Sequence, residues 1–570
     1  DGNTMIQKNE QNADASGEMS AIFQEAANLG IQVGHGNDMF QKNEADVDIA
    51  NLEIGSATAT LKKVLIVQVQ RNLGIQVGRG NDMFQKNEAD AEVANVAVGI
   101  ANAGADATAT VDSDAILSKV AIFQLQKNLG IQVGRYNDMF QKNEADAEVA
   151  NVAVAVARAD STNEIGYILN GEETPLPFSF VPESSASADA FAKLSKVAIE
   201  QYQANLGIQV GRGNDMFQKN EADADAENVA VASAGAFASN DMLVDQFALA
   251  ETISNNGKAT ANANNYADVE QVVGSYASAD ASAVLSKAEI EQNQKNLGVQ
   301  VGIKNDMSQR NEADAELENG AVASAGAFTS NDMAVDQDAI AGAESNDVWL
   351  PFIGWLRGKT ATATAGNSLT FTQNADSDAS ASANARLSKV EIEQCQANLG
   401  VQVGIRNDMS QKNKAEAEME NGAAASAGAF APNFQEEIER SAVKFTWPGE
   451  TDSDTPQLSL TVPATSADTQ SASATLSKIW VQQCQKNLGV QVGHNFLVQK
   501  NKDEGEIEQL AFNTVADLQK ISLEQKEKNV MVQVGSSAVF QWNSQTDSPS
   551  VSDTHIDRSQ SNALVDVSHI

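Results

Sequence analysis

The phrase that decides the fold runs from Asn128 to Asn143 and reads Asn-Leu-Gly-Ile-Gln-Val-Gly-Arg-Tyr-Asn-Asp-Met-Phe-Gln-Lys-Asn. It recurs in a strict register around its central glutamine, and such self-similarity is the signature of a repeat architecture. The eight central glutamines are Gln32, Gln76, Gln132, Gln209, Gln300, Gln402, Gln491 and Gln533. Their spacing varies from 42 to 102 residues, which indicates a unit of about 42 residues with inserts between units.

The inserts become longer towards the middle of the chain and shorter again towards its end. Subtracting the unit leaves inserts of 2, 14, 35, 49, 60, 47 and 0 residues. The segment Ala-Ser-Ala-Gly-Ala-Phe ends at Phe237, Phe328 and Phe430, at the same offsets as the central glutamines. We therefore expect neighbouring inserts to stack in register as a lateral wing. A partial ninth copy, Met5 to Glu10, opens the chain halfway through a unit.

Each unit has the pattern of β-strands joined by a turn. Leu129, Ile131 and Val133 alternate with polar residues and glycine, which is the period of a strand. The alanine content of the stretch 145–155 could favour a helix. The alternation of alanine with acidic residues and valine, and the asparagine in the stretch, favour a strand instead. Gly-Arg-Gly-Asn at 78–81 predicts a turn.

Stacked units align their amide side chains in columns. In-register parallel strands place identical side chains about 4.8 Å apart, where Asn and Gln can bond along the stack. Burial is costly for an isolated amide, whereas a ladder satisfies each amide through its neighbours. We predict a buried structural ladder formed by Gln76, Gln132, Gln209, Gln300 and Gln402, by Asn72, Asn128, Asn205, Asn296 and Asn398, and by Asn81, Asn137 and Asn214.

These observations predict an all-β fold: a repetitive parallel β-solenoid, or cross-β-like column, of about eight turns with the inserts as its wing. The face opposite the amides carries Leu, Ile or Val, and we expect a second sheet to cover that apolar face. The predicted divisions are a half repeat at 1–16 that could act as an inter-subunit strand, the solenoid at 17–543 and a polar tail at 544–570.

One motif resembles the curlin repeat of curli-type extracellular fibre subunits. In this chain it reads Gln76-Val-Gly78-Arg-Gly-Asn81-Asp-Met83-Phe-Gln85-Lys-Asn87, covering about 12 residues of each unit. The curlin pattern has Gln where this chain has Asn87, the copies at Gln491 and Gln533 depart by one residue, and the inserts have no curlin counterpart. The resemblance implies stacked β-turns in a self-assembling extracellular amyloid-like fibre.

Composition excludes several functional classes. Acidic residues outnumber basic ones 77 to 38, for a net charge of -39, so the chain should be repelled by nucleic acid and anionic membranes. No apolar run reaches the roughly 18 residues that favour membrane insertion. Four His and two Cys argue against zinc-finger, iron–sulfur and multihaem classes. No catalytic constellation repeats, so we expect neither enzyme activity nor a cofactor.

An acidic column is the candidate for metal binding. It comprises Asp38, Asp82, Asp138, Asp215, Asp306 and Asp408. Stacked like charges repel unless they are compensated, and a basic column begins four residues later with Lys42 and Lys86. We expect the two columns to neutralise each other, with calcium bridging as the alternative.

Two further features invite a functional interpretation. Cys395 and Cys484 share a phase, so adjacent turns bring them to about 5 Å, within reach of a disulfide. Aromatic side chains mark the insert tips at Phe178, Trp349, Trp355 and Trp447, either as a contact surface or as a local core.

The hypothesis that unites these features is a secreted structural subunit that forms an extracellular fibre or surface filament, with itself as partner in a homopolymer. Sheet edges template further pairing unless they are capped. We expect Met5, Gln7 and Asn9 to continue the ladder of a neighbouring subunit near Gln533. The alternative is a monomeric β-solenoid adhesin or surface-layer module that binds a ligand through its insert tips. A β-helical polysaccharide-processing enzyme ranks lower, because no acid cluster interrupts the repeat.

Overall fold

The structure, a computed structural model, describes residues 2–15, 19–55, 57–104, 108–170, 178–180, 183–255, 258–346, 348–350, 354–356, 360–431, 433–446, 457–461, 464–512, 516–534, 538–549 and 554–566. Its strands are β1 (Thr4–Ala15), β2 (Met19–His35), β3 (Asp38–Ile54), β4 (Ala57–Leu61), β5 (Lys63–Arg79), β6 (Asp82–Ala103), β7 (Thr108–Leu117), β8 (Val120–Arg135), β9 (Asp138–Asn170), β10 (Phe178–Phe180), β11 (Glu183–Leu194), β12 (Val197–Arg212), β13 (Asp215–Asn255), β14 (Lys258–Leu285), β15 (Ala288–Ile303), β16 (Asp306–Asn346), β17 (Val348–Leu350), β18 (Gly354–Leu356), β19 (Thr360–Leu387), β20 (Val390–Phe430), β21 (Asn433–Thr446), β22 (Gln457–Thr461), β23 (Ala464–Phe512), β24 (Ala516–Val534), β25 (Ala538–Pro549) and β26 (Thr554–Asp566). The all-β class is confirmed.

Each unit folds into two extended legs on either side of a tight turn. We call the strand that enters the turn the return leg and the strand that leaves it the outgoing leg. The return legs are β2, β5, β8, β12, β15, the first halves of β20 and β23, β24 and β26; the outgoing legs are β1, β3, β6, β9, β13, β16, the second halves of β20 and β23, and β25. An outgoing leg and the return leg that follows it form one rung.

Legs of the same kind pair in parallel and in register, as the repeat predicted. On the return side Gln209 lies between Gln132 and Gln300. On the outgoing side Met216 lies between Met139 and Met307. The result is a β-solenoid with one layer of outgoing legs and one layer of return legs.

The turn explains two positions of the repeat. Gly78 has a φ of 150°, and a Cβ at this residue would lie 1.5 Å from the carbonyl oxygen of Gly34 in the neighbouring rung. Asn81 then caps the turn, because its Oδ1 accepts a hydrogen bond of 2.9 Å from the backbone N–H of Asn37. The predicted turn at 78–81 is confirmed.

The interior between the two layers contains three classes of side chain, which follow one another with increasing distance from the turn. Nearest the turn it holds amide columns, whose side chains also reach across to the opposite leg: Gln201 Nε2 donates to the Asp223 carbonyl at 2.6 Å. Further out lie branched aliphatic side chains such as Leu194 and Ile199. Beyond these the two layers meet through columns of alanine, of which Ala232 and Ala279 are members.

The inserts stack in register, as predicted. The outgoing legs lengthen from 17 residues in β3 to 41 in β13 and β16, and β13 keeps one register with β16 along its whole length. The rings of Phe237 and Phe328 stack at 5.1 Å. The lateral wing extends the same two layers, with alanine filling the space between them.

The apolar face of the strands lies on the outside of the stack, contrary to expectation. The second layer covers the amide face, whereas the Leu, Ile and Val columns point outward: Val33 is 74% exposed and Val210 is 39% exposed. Alternation with period two separates two faces but does not say which lies inside. Here the amides face inward because their neighbours along and across the stack satisfy them.

Part of the segment predicted as a polar tail, 544–570, pairs with the stack. β25 crosses the predicted boundary between 543 and 544, and β26 pairs with β24, aligning Asn562 with Asn529 and Asp566 with Gln533. The sequence did not reveal this leg, because Asp566 stands where the other copies have the central glutamine. The strands described thus form the eight units predicted, and β1 and β26 add one outgoing and one return leg to make nine of each.

Candidate functional site

The central glutamines form the predicted buried ladder. Gln209 is fully buried, and its Nε2 donates to Gln132 Oε1 in the preceding rung at 2.8 Å and to the Asp215 carbonyl at 2.8 Å. Gln300 donates to Gln209 at 2.9 Å in the same way. Equivalent bonds link Gln76, Gln132, Gln402 and Gln491 to their preceding neighbours. This column therefore donates towards the N-terminal end of the stack.

The predicted asparagine column runs the other way. Asn128 Nδ2 donates to Asn205 Oδ1 at 3.0 Å, and Asn205 donates to Asn296 at 3.1 Å in the next rung. The same bond joins Asn72 to Asn128 and Asn296 to Asn398. Asn81, Asn137 and Asn214 form the capping column at the turn. The buried columns confirm the predicted ladder and give the stack a polarity.

Sequence reasoning missed four further amide columns that the same register could have revealed. Asn220 Nδ2, for example, donates to Asn311 Oδ1 at 2.9 Å, and Gln218 Nε2 donates to Gln141 Oε1 at 2.8 Å. The buried members are Gln70, Gln126, Gln203, Gln294, Gln396 and Gln485; Gln41, Gln85, Gln141, Gln218, Gln309, Gln411 and Gln499; Asn43, Asn87, Asn143, Asn220, Asn311, Asn413 and Asn501; and Asn95, Asn151, Asn228, Asn319 and Asn421.

A glycine column and a methionine column face each other inside the stack. A Cβ on Gly207 would lie 2.7 Å from the Met216 Sδ, so the glycine leaves the space that the thioether fills. Both positions change near the C-terminal end. Met531 stands in the glycine column next to Gly489, and Val539 stands in the methionine column next to Leu497. The two changes offset each other in volume, which shows that the columns pack as one unit.

The aspartate column is not neutralised by the lysine column, contrary to expectation. Asp38, Asp82, Asp138, Asp215, Asp306 and Asp408 are exposed on the outer face of the outgoing legs. A phenylalanine column, which includes Phe84, stands between Asp82 and Lys86, since side chains on one face are two residues apart. Partial burial raises the pKa of Asp82, and the adjacent carboxylate of Asp38 raises it further.

The lysines instead pair with the glutamates two residues later. Lys42 Nζ lies 2.8 Å from Glu44 and 3.1 Å from Glu88 in the next rung, and Lys86 continues the pattern to Glu88 and Glu144. The hydrogen bond from Lys42 lowers the pKa of Glu44. Each lysine thus bridges two rungs along the outer face.

Two more acidic columns follow on the same face, and sequence reasoning missed them. Loss of hydration, together with the charges of Asp223 and Glu316, raises the pKa of Asp225 to about 7. The same causes, with neighbouring carboxylates, raise the pKa values of Asp146 and Asp314 to about 6. Within the described residues, no group of three or more His, Cys, Asp or Glu side chains is arranged to hold a metal ion.

The two cysteines align on adjacent rungs, as the spacing predicted. Cys395 pairs with Cys484 in register, and both are free thiols on the outer face of the return legs. Contact with Cys484, burial and the charge of Glu393 raise the pKa of the Cys395 thiol. Both thiols are free in this structure, and the disulfide between them stays a prediction.

The insert tips lie largely outside the described residues. Trp447 belongs to the undescribed part, and for Phe178, Trp349 and Trp355 only the backbone is described. β17 and β18 pair antiparallel, with Trp349 opposite Trp355, in a two-stranded sheet apart from the main stack. The contact surface proposed for these tips stays a prediction.

The ends of the stack are the candidate site for assembly. Among the described strands, β1 pairs only with β3 and β2 only with β5; β25 pairs only with β23 and β26 only with β24. Met5, Gln7 and Asn9 align with Met39, Gln41 and Asn43 of their own chain. Gln533 is not at the end, since β26 covers its rung, so a neighbour would meet β25 and β26 instead.

Comparisons with known proteins add no relative: a scan against protein-family models and searches of curated proteins and of solved structures found no match. The described part of the chain also contains no helix with the length and hydrophobicity that a membrane crossing requires.

Proposed function

We propose that this protein is the structural subunit of a self-assembling fibre, in which copies stack end to end through strand edges and Asn/Gln ladders. The single observation that carries this proposal is the pair of open edges: β1 and β2 at one end, β25 and β26 at the other. Unpaired edges of this length are templates for further pairing.

Two geometric properties favour a polymer over a closed dimer. All the legs within a layer are parallel and in register, so the next copy follows by translation along the stack. The two ends are therefore different surfaces that complement each other. Such a head-to-tail contact does not close on itself and generates an open filament.

The proposal extends to location and environment. The curlin-like motif around Gln76 supports an extracellular fibre, such as a surface filament or biofilm matrix. The net charge of -39 supports a fibre that does not bind nucleic acid or anionic membranes. The homopolymer needs no other partner, because each end supplies the edge that the other end pairs with.

Electron microscopy and X-ray diffraction of the purified chain test the proposal. We expect unbranched fibres whose diffraction shows a strand spacing of about 4.8 Å along the fibre axis. Particles of one subunit at every concentration would contradict the fibre. That result would favour the monomeric adhesin or surface-layer module, with the antiparallel hairpin around Trp349 and Trp355 as the first ligand site to examine.

A further inference from the structure

We propose, on the basis of the proposed fibre, that β25 and β26 of one copy dock on β1 and β2 of the next copy in a single register, with Gln541 on Gln7 and Trp542 on Lys8. The partner is thus a second copy of this chain. The nine outgoing and nine return legs of the described strands make complete rungs, so the next copy continues both layers without a missing leg.

The glutamine ladder sets the register of the outgoing layer. Gln541 Nε2 donates to Gln499 Oε1 at 2.9 Å, and at the other end of this column Gln41 Nε2 donates to Gln7 Oε1 at 2.8 Å. Gln7 Nε2 uses a hydrogen atom on the Leu29 carbonyl, as Gln41 does on the Leu73 carbonyl. Its other hydrogen continues the ladder to Gln541 Oε1 of the preceding copy.

The asparagine ladder fixes the polarity. In its column Asn9 Nδ2 donates to Asn43 and Asn501 Nδ2 donates to Asn543, which is the direction opposite to the glutamines. Asn543 of one copy therefore donates to Asn9 of the next, while Gln7 donates back to Gln541. A copy docked in the reverse orientation meets donor with donor in one column and acceptor with acceptor in the other.

Exposed apolar side chains at both ends fall in matching columns. Ile6 is 70% exposed and belongs to the column of Phe40, and Phe540 is 63% exposed at the other end of that column. In the return layer, β26 places Ala563 and Val565 at the register positions of Leu29 and Ile31, both of which are 58% exposed. Docking removes the exposed surfaces of Ile6, Leu29, Ile31 and Phe540 from water.

Trp542 occupies the lysine column at the last rung. It is 65% exposed, and Lys500 Nζ lies 5.6 Å from the centre of its ring. Lys8 of the next copy approaches the opposite face of the same ring, so the indole separates two ammonium groups and attracts both. A lysine at position 542 would instead stand between Lys500 and Lys8 of the next copy, in rungs where Lys502 and Ser544 occupy the column of the compensating glutamates.

The test is elongation of parent seeds by variant subunits, measured by turbidity and by fibre length in electron micrographs. We expect Trp542→Lys to slow elongation about tenfold, through lost cation–π contact and added repulsion. Lys8→Glu in the same chain should restore the rate of fibres grown from the double variant alone. Trp480→Lys is the matched control, because Trp480 lies in a rung paired on both sides. Circular dichroism checks that each subunit is folded.

The outcomes separate this register from the fibre itself. Slow growth of Trp542→Lys, its rescue by Lys8→Glu and normal growth of Trp480→Lys support the register. If parent fibres add Trp542→Lys subunits at the normal rate, the proposed register is wrong, whereas the proposal of a fibre is unaffected. A parent chain that forms no fibres overturns both.

Discussion

Asn205 illustrates how one buried amide holds several strands. Its Nδ2 donates to Asn296 Oδ1 at 3.1 Å and to Asn220 Oδ1 at 2.9 Å, and its Oδ1 accepts from Asn128 and Asn143. The side chain is 1% exposed, so water cannot replace a lost partner. At the scale of the residue, the interior is a network in which each amide depends on the rung before, the rung after and the opposite leg.

Replacing Asn205 with Leu should therefore destabilise the protein. The neighbouring amides of the column lose their partners, at about 1–3 kcal/mol for each group left unsatisfied. Thermal unfolding measures the effect, with Ala204→Leu on the outer face of the same strand as control. A melting temperature equal to that of the parent would mean that this column is not a buried ladder.

At the scale of the element, the outer face of the outgoing legs is a set of charged and aromatic columns. The Lys42–Glu44 type of pair bridges rungs, whereas the Asp223 and Asp225 columns stack like charges. Repulsion in these acidic columns is present whenever they are ionised. Their titration therefore couples the stability of the strands to pH.

Stability should rise as the pH falls from 8 to 5. The folded-state pKa of Asp225 is raised to about 7 and that of Asp146 to about 6, above the ordinary 3.8. A raised carboxyl pKa contributes stability that is complete below 3.8 and is lost as the pH rises through 6 to 7. The lowered pKa of Glu44 acts in the opposite sense, but only as the pH falls below its ordinary 4.5.

Melting temperatures across this pH range test the effect. The double variant Asp146→Asn, Asp225→Asn should show a flatter dependence of melting temperature on pH, because it removes two of the three carboxyl groups whose pKa is raised to about 6 or 7. If the melting temperature of the parent protein instead decreases as the pH is lowered from 8 to 5, other groups determine the pH dependence.

Removing the insert between Gln300 and Gln402, about 60 residues, should leave the column folded. The rungs at the N-terminal end have outgoing legs of only 17 residues and still pair in register, so the amide zone does not need the alanine zone. We expect strand content per residue to persist in circular dichroism and the melting temperature to fall, since β14 loses its partner β19. Loss of all β-structure would show that the inserts form the core.

Much of this architecture was predictable because the repeat is strict. Identical residues at fixed offsets define the columns, so the register at Gln209 and Asn205 and the stacking of Phe237 on Phe328 followed from spacing alone. The spacing did not predict that the amides, and not apolar residues such as Val210, face inward, because alternation with period two is the same for both faces. The partner of Lys42 was mistaken because side chains two residues apart, not four, are neighbours on a strand. β26 was missed because Asp566 interrupts its column.

At the scale of the whole molecule, the two ends are the surfaces through which the proposed fibre would assemble. Deleting residues 1–16 removes β1 and leaves β25 of a preceding copy without an outgoing leg to meet. We expect this variant to keep the column folded, as judged by circular dichroism, and to stop elongating parent seeds in electron micrographs. Fibres growing from it at the normal rate would show that β1 is only the starting turn of its own subunit.

The changing length of the rungs has a consequence for the appearance of such a fibre. The outgoing legs widen from 17 residues in β3 to 41 in β13 and β16 and narrow to 12 in β25, so each subunit is broad at its waist and slim at both ends. Nine rungs at about 4.8 Å span about 43 Å. A filament of these subunits would therefore vary in width along its axis, with a repeat distance equal to the length of one subunit. The proposed fibre would thus show one widening for every copy added, and the number of copies could be counted in a micrograph.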